Sequence, residues 1–242
     1  MAANAAQRLA GQMFFVAMAV LAAVIALIGF ASTFFVPLAR GSFAGSSVIF
    51  AHAAVTFGWI ALFVLQPSLI RAGSYDIHVR TGIFGALLAI AVAVTGLHVG
   101  AFAAARDFAA GGGPTAISSM VGVATSMAMF LALVASGVAF RGNPEAHKRL
   151  MLLATIVVLW PAWFRFRHYF PDVPRPDIWF AVVAADSLIV LAALRDKVVT
   201  GRVHPVWLIA GSLVIAEHTF EVIMFDTPAW RAVGQALFDW LR

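Results

Sequence analysis

The chain has 242 residues, 62% hydrophobic and 11% charged, with a net charge of +5 and no cysteine. A soluble domain is about a quarter charged, so a soluble fold of this length is excluded for want of surface charge. Without cysteine there are no disulfides, thiolate metal sites or iron–sulfur clusters, and any metal must use His or carboxylate; the basic residues cluster at helix ends, where they meet lipid headgroups, and imply no nucleic acid.

No charged residue falls between Arg8 and Arg40, Arg40 and Arg71, Arg80 and Arg106, or Asp107 and Arg141. Each gap exceeds the roughly 20 apolar residues that cross a hydrocarbon core. Apolar runs between charged or Pro/Gly punctuation predict spans at about 12–38, 47–70, 78–103, 116–140, 147–164, 177–194 and 206–225. The fold class expected is therefore all-α, a single integral membrane bundle of seven helices. One Arg precedes the first run and no small-residue cleavage pattern follows it, so the first helix is expected to be retained.

With the N-terminus inside and the C-terminus outside, the inner segments hold Arg8, Arg71, Arg80, Arg141, Lys148, Arg149, Arg195, Lys197 and Arg202, nine of sixteen basic residues. That bias predicts the N-in, C-out orientation. Three inner loops repeat one pattern, a basic residue followed six to nine positions later by His78, His147 or His204. The repeat reads as an ancestral hairpin or an inner-face anionic site, or simply as basic loops obeying the orientation rule.

The other four histidines lie toward the opposite side: His52 early in the second helix, His98 late in the third, His168 at the end of the fifth and His218 in the seventh. Because neighbouring spans alternate in direction, all four are expected within two or three turns of the outer surface. Imidazole is the commonest metal ligand, and facing helices of a bundle supply such ligands. The seventh helix adds Glu217 and Glu221, four apart and flanking His218, so all three can share a face. The expected metal set is His52, His98, His218, Glu217 and Glu221, with His168 as a secondary candidate.

The second helix carries a stripe of His52, Thr56, Trp59, Phe63 and Gln66. It reads as a helix–helix interface glued by Thr and Gln, or as cofactor contacts from Thr56 and Trp59 that orient the histidines. Asp186 has eight uncharged residues on either side and needs a partner. Arg165 and Arg167 are the expected ones, in a structural pair. In the functional version Arg165 instead holds an anionic group, such as a haem propionate or a substrate carboxylate. Pro161 cannot make the normal helical bond to Val157 and predicts a kink in the fifth helix.

The stretches from Ala51-His52-Ala53-Ala54 to Gln66-Pro67-Ser68-Leu69-Ile70-Arg71, His78-Val79-Arg80-Thr81-Gly82 and His147-Lys148-Arg149-Leu150-Met151 resemble an uncharacterised family of bacterial polytopic, seven-helix membrane proteins. More faintly they resemble small membrane proteins linked to haem–copper oxidase assembly. The resemblance covers the second to fifth helices. It implies the bilayer of the bacterial inner (plasma) membrane as location, and adds to the expectation of a haem or a metal.

Three functions compete on these residues. One is a redox or metal-dependent protein holding haem b or a non-haem ion (Fe, Cu, Mn or Zn) near the outer face, with quinone or another membrane redox protein as partner. The second is a proton-coupled transporter with a titrating path through Asp186, Glu217, His218 and Glu221. The third is a structural or assembly subunit without cofactor. A retinal protein is disfavoured, because Lys148 and Lys197 both lie at charged edges and not in the apolar interior. Seven-span zinc hydrolases carry paired histidines on the last helix that are missing here. No residue is singled out as catalytic.

Overall fold

The computed structural model describes the backbone of residues 2–241 and the side chains of residues 11–241; Arg8, counted above among the inner charges, lies outside the described side chains. Helices are the only regular elements among the described residues. Six are long and apolar enough to cross a membrane. One of them, Tyr75–Ala139, is 65 residues long and is broken where Gly111 takes φ 94 and Gly113 φ 60, conformations that glycine adopts without a Cβ penalty. Its arms fold back side by side, with Gly100 against Val123 and Gly96 against Met127.

Counting the two arms separately gives α1 (Gly11–Ala39), α2 (Ser47–Arg71), α3 (Tyr75–Asp107), α4 (Gly113–Ala139), α5 (Pro144–His168), α6 (Pro176–Thr200) and α7 (Trp207–Met224). An eighth helix, α8 (Pro228–Leu241), was not expected from the sequence. The start of α5 shows how local chemistry sets an end. Asn143 Oδ1 accepts from the Glu145 and Ala146 backbone N–H groups at 3.2 Å each, and Pro144 occupies the first turn, where its missing N–H is not needed.

The core is inverted relative to a soluble protein. Ile83 and Leu87 on α3 are 65% and 64% exposed, and Ile90 and Val94 continue the stripe at helical spacing, giving a face for acyl chains. The centre is α5: 61% of its most apolar window is buried, against 11–39% in the other spans. Leu152, Leu153, Ile156 and Val157 pack there with Trp59 and Phe130, whose rings meet edge to face at 4.9 Å. The expected kink falls at Leu159, between the helical stretches Pro144–Val158 and Trp160–Phe164.

A buried charge clamp joins three helices at the end of the bundle that holds the N-terminal part of α1. Arg149 donates Nε to Asp196 Oδ2 at 2.7 Å and Nη2 to Oδ1 at 2.9 Å, and Trp207 Nε1 donates to the same Oδ2 at 2.8 Å. Arg149 and Asp196 are 2% and 1% exposed. Burying the pair is tolerable because both Asp196 oxygens accept two bonds each, Oδ1 also from Arg195, and Arg149 Nη1 donates to the carbonyl and carboxylate of Glu145.

Candidate functional site

The candidate site is built at the opposite, C-terminal end of the bundle, by α6 and α7. On α6 the π-helical turn Trp179–Ala184 directly precedes Asp186; α7 opens with another, Trp207–Gly211, at the far end beside the Arg149–Asp196 clamp. Such turns re-aim the side chains that follow and are frequent at functional sites.

Asp186 Oδ1 lies 2.8 Å from His218 Nδ1, and the two residues are 5% and 1% exposed. A carboxylate oxygen accepts, so Nδ1 donates to Asp186, and in the neutral imidazole Nε2 then presents a lone pair. That Nε2 is buried without a hydrogen-bond partner, and Glu217 Oε2 stands 3.9 Å from it, beyond hydrogen-bond range. Both Glu217 oxygens and Asp186 Oδ2 are also buried and unpartnered. Buried polar groups nearly always find a partner, yet four of the nine such atoms among the described residues fall in this one cluster. Glu221, one turn on, lies within electrostatic reach of Glu217 and His218. Its carboxylate presses on Gly122 of α4, where a Cβ would overlap it.

Asp186 therefore pairs with His218, and the expected ion pair with Arg165 or Arg167 does not form. The arginines lie in the short 3-10 turn Arg165–His168 that ends α5. Arg165 donates Nη1 to the Pro161 carbonyl at 2.8 Å and sits 4.2 Å over the Phe30 ring. Arg167 donates to the Phe164 carbonyl at 2.9 Å and stacks on Phe164 at 3.9 Å. Both guanidinium groups satisfy the last carbonyls of their own helix, which leaves Asp186 to the imidazole facing it.

The other expected residues are placed as follows. His52 lies between α2 and α3 with Nδ1 3.0 Å from Thr95 Oγ1. The Thr95 hydroxyl donates to the Ala91 carbonyl, so it accepts from His52. Thr56 Oγ1 lies 3.4 Å from His52 Nε2, and Arg165 is within electrostatic reach of this imidazole. Trp59 is buried and donates Nε1 to Thr155 Oγ1 at 3.2 Å. His98 is exposed, with Nδ1 2.8 Å from the Val94 carbonyl, and His168 is exposed at the end of α5. The structure thus brings together His218, Glu217 and Glu221, and adds Asp186 to them. It does not gather His98 or His168 into that cluster, and no group of three or more His, Asp or Glu side chains already arranged around a metal position is present among the described residues. The alternation of span direction gave His98 and His168 a depth, and depth alone does not decide which way a helix turns them.

No protein family, no curated protein and no solved structure matches this chain.

Proposed function

We propose that the chain is a metal-dependent integral membrane protein whose α6–α7 cluster takes up a divalent transition ion. The observation that carries this reading is the buried His218 Nε2, with no hydrogen-bond partner and a Glu217 oxygen 3.9 Å away. With metal–ligand bonds of about 2 Å, two atoms sharing one ion stand roughly 3 to 4 Å apart. His218 Nε2 and Glu217 are the ligands, Glu221 completes the set by turning from Gly122, and Asp186 orients the imidazole through Nδ1, as carboxylates do behind metal-bound histidines. One nitrogen and two carboxylates suit Mn, Fe or Zn. An ion held there polarises a bound water or oxygen.

Haem b fits these residues less well. It needs two imidazoles opposed across one iron, whereas His98 and His168 are exposed and His52 is engaged by Thr95. The resemblance to proteins linked to haem–copper oxidase assembly agrees with metal handling. With the N-in orientation expected from the basic residues, the cluster would lie near the outer face of an inner membrane, where quinone or a redox protein would meet it.

Protons are the other cation that neutralises such a cluster. Buried carboxylate oxygens without hydrogen-bond partners are costly in a low-dielectric interior, and a bound proton relieves that cost as a metal ion does. That is the proton-coupled transporter reading. Dialysis of detergent-purified protein against MnCl2 or ZnCl2, followed by elemental analysis and an absorption spectrum, separates the two. The metal reading expects a stoichiometric divalent ion that His218→Ala removes, without a Soret band. Wild-type protein that retains no divalent ion overturns it in favour of proton coupling, and a Soret band overturns it in favour of haem.

A further inference from the structure

Buried atoms without partners concentrate in one other place, at the N-terminal end of the bundle. Gln66 Oε1 and His78 Nδ1 are both orphaned there, on facing stretches of α2 and α3. The Gln66 amide is not simply the wrong way round. Its Nε2 donates to Thr81 Oγ1 at 2.8 Å and to the His78 carbonyl at 3.3 Å, and Thr81 spends its own proton on the Ile77 carbonyl. Both partners are acceptors, so the nitrogen must face them and Oε1 must face away.

A third donor comes from α5. His147 Nδ1 lies 2.7 Å from the Gly137 carbonyl, which can only accept, so Nδ1 carries the proton and Nε2 keeps its lone pair. The His78 and His147 ring planes stand at 85° to each other with centres 6.3 Å apart. Two imidazoles sharing one ion through bonds of about 2 Å place their centres roughly 5 to 6.5 Å apart, the upper value for a wide, nearly linear angle.

We propose that His78 Nδ1, His147 Nε2 and Gln66 Oε1 form a second metal site, distinct from the α6–α7 cluster and selective for monovalent copper. The donor set is neutral. The ion's whole charge then stays uncompensated beside the bilayer, and desolvation penalises a single charge far less than a double one. Imidazole nitrogens suit copper, and the wide separation of the rings suits an ion content with two strong ligands. The α6–α7 cluster has the opposite character, with carboxylates that favour divalent ions.

The test loads the full-length protein in detergent, anaerobically and under ascorbate, with Cu+ at micromolar free concentration, and counts copper by elemental analysis. Wild type is expected to hold one Cu+ per chain. His78→Ala loses it and keeps the divalent ion of the other site; His218→Ala keeps the Cu+ and loses the divalent ion. Gln66→Leu, which preserves both imidazoles, weakens Cu+ binding by about tenfold or more, and a melting curve matching wild type shows that the helices still pack. Wild type without Cu+ means that a bridging water alone fills the gap, and overturns the proposal. So does a well-folded His78→Ala that retains its Cu+. Failure of the α6–α7 reading shows separately, as absence of the divalent ion.

Discussion

At the scale of single residues, Asp186 and Gly122 decide whether the α6–α7 cluster is assembled. Asp186 holds the His218 ring by its Nδ1, so Asp186→Asn keeps the shape while removing the charge that fixes the tautomer. Divalent-ion affinity measured by equilibrium dialysis is expected to fall by about 10- to 100-fold, with the helical circular dichroism unchanged. Gly122 acts by what it lacks. The Glu221 carboxylate occupies the space a Cβ would need, so Gly122→Ala drives Glu221 off α4 and away from its wild-type position. Because Glu221 joins the ion by leaving Gly122, dialysis against the same ion is expected to read tighter binding, and an affinity equal to wild type would remove Glu221 from the ligand set.

At the scale of elements, α8 is fastened by one turn. Asp226 ends α7 at φ 63, a left-handed conformation that Asp tolerates better than most side chains. It accepts from Arg231 at 2.7 and 2.6 Å, and from Thr115 and Ser118 of α4 at 2.9 and 3.0 Å. These bonds, Arg231's first, hold the Asp226 carboxyl well below its ordinary range. A carboxylate whose pKa is depressed on folding stabilises the fold above its unfolded pKa of about 3.9, and that contribution is lost as pH falls through the lower folded value. Trp230 fluorescence is therefore expected to stay constant from neutral pH down to about 4 and to change only in stronger acid. Asp226→Asn should show the loosened signal already at neutral pH.

The spans themselves are legible in the sequence because a hydrocarbon core accepts nothing else. Four charge-free gaps indicated the first four spans, and the observed spans agree with the expected bounds to within six residues at every end, with Trp207–Met224 the one that is shorter at both. The α8 helix escaped because a short amphipathic segment packed on α4 leaves no long apolar run, only Trp230, Gly234 and Phe238 at helical spacing. Of the site, the Glu217-His218-Glu221 stretch was visible in the primary structure as polar residues on a lipid-bound helix. Asp186 already stood with these residues in the titrating-path reading, but its direct pairing with His218 was not legible, because depth put Arg165 equally close and only the packing of α6 on α7 chooses between them. The stripe on α2 proved to be an interface, with His52 on Thr95, Trp59 on Thr155 and Gln66 on Thr81.

At the scale of the whole molecule, the Arg149–Asp196 clamp and the orientation are the properties to test. Removing Asp196 leaves the buried Arg149 with Glu145, a mostly exposed carboxylate, as its one acidic partner, and Asp196→Ala is expected to cost about 3 kcal/mol, the low end for a broken buried pair, read as a lowered midpoint of thermal unfolding in detergent. A double replacement, Arg149→Met with Asp196→Leu, should recover much of that loss, since no charge is then stranded. The absence of cysteine makes orientation simple to read. A single thiol introduced as Asp172→Cys is expected to react with an impermeant maleimide from outside intact cells, and Gly142→Cys only after lysis. The reverse pattern would overturn the N-in orientation expected from the distribution of basic residues.

The central position of α5 also bears on how the protein is made. Its apolar surface is spent on neighbouring helices, and it enters the bilayer carrying Arg149, which has Glu145 on its own helix at 2.6 Å but meets its buried, two-bond partner Asp196 only with α6. A chain released after the fifth helix therefore holds this guanidinium by its more exposed partner alone. Such a truncation product is expected to turn over faster than the full chain in a pulse-chase measurement.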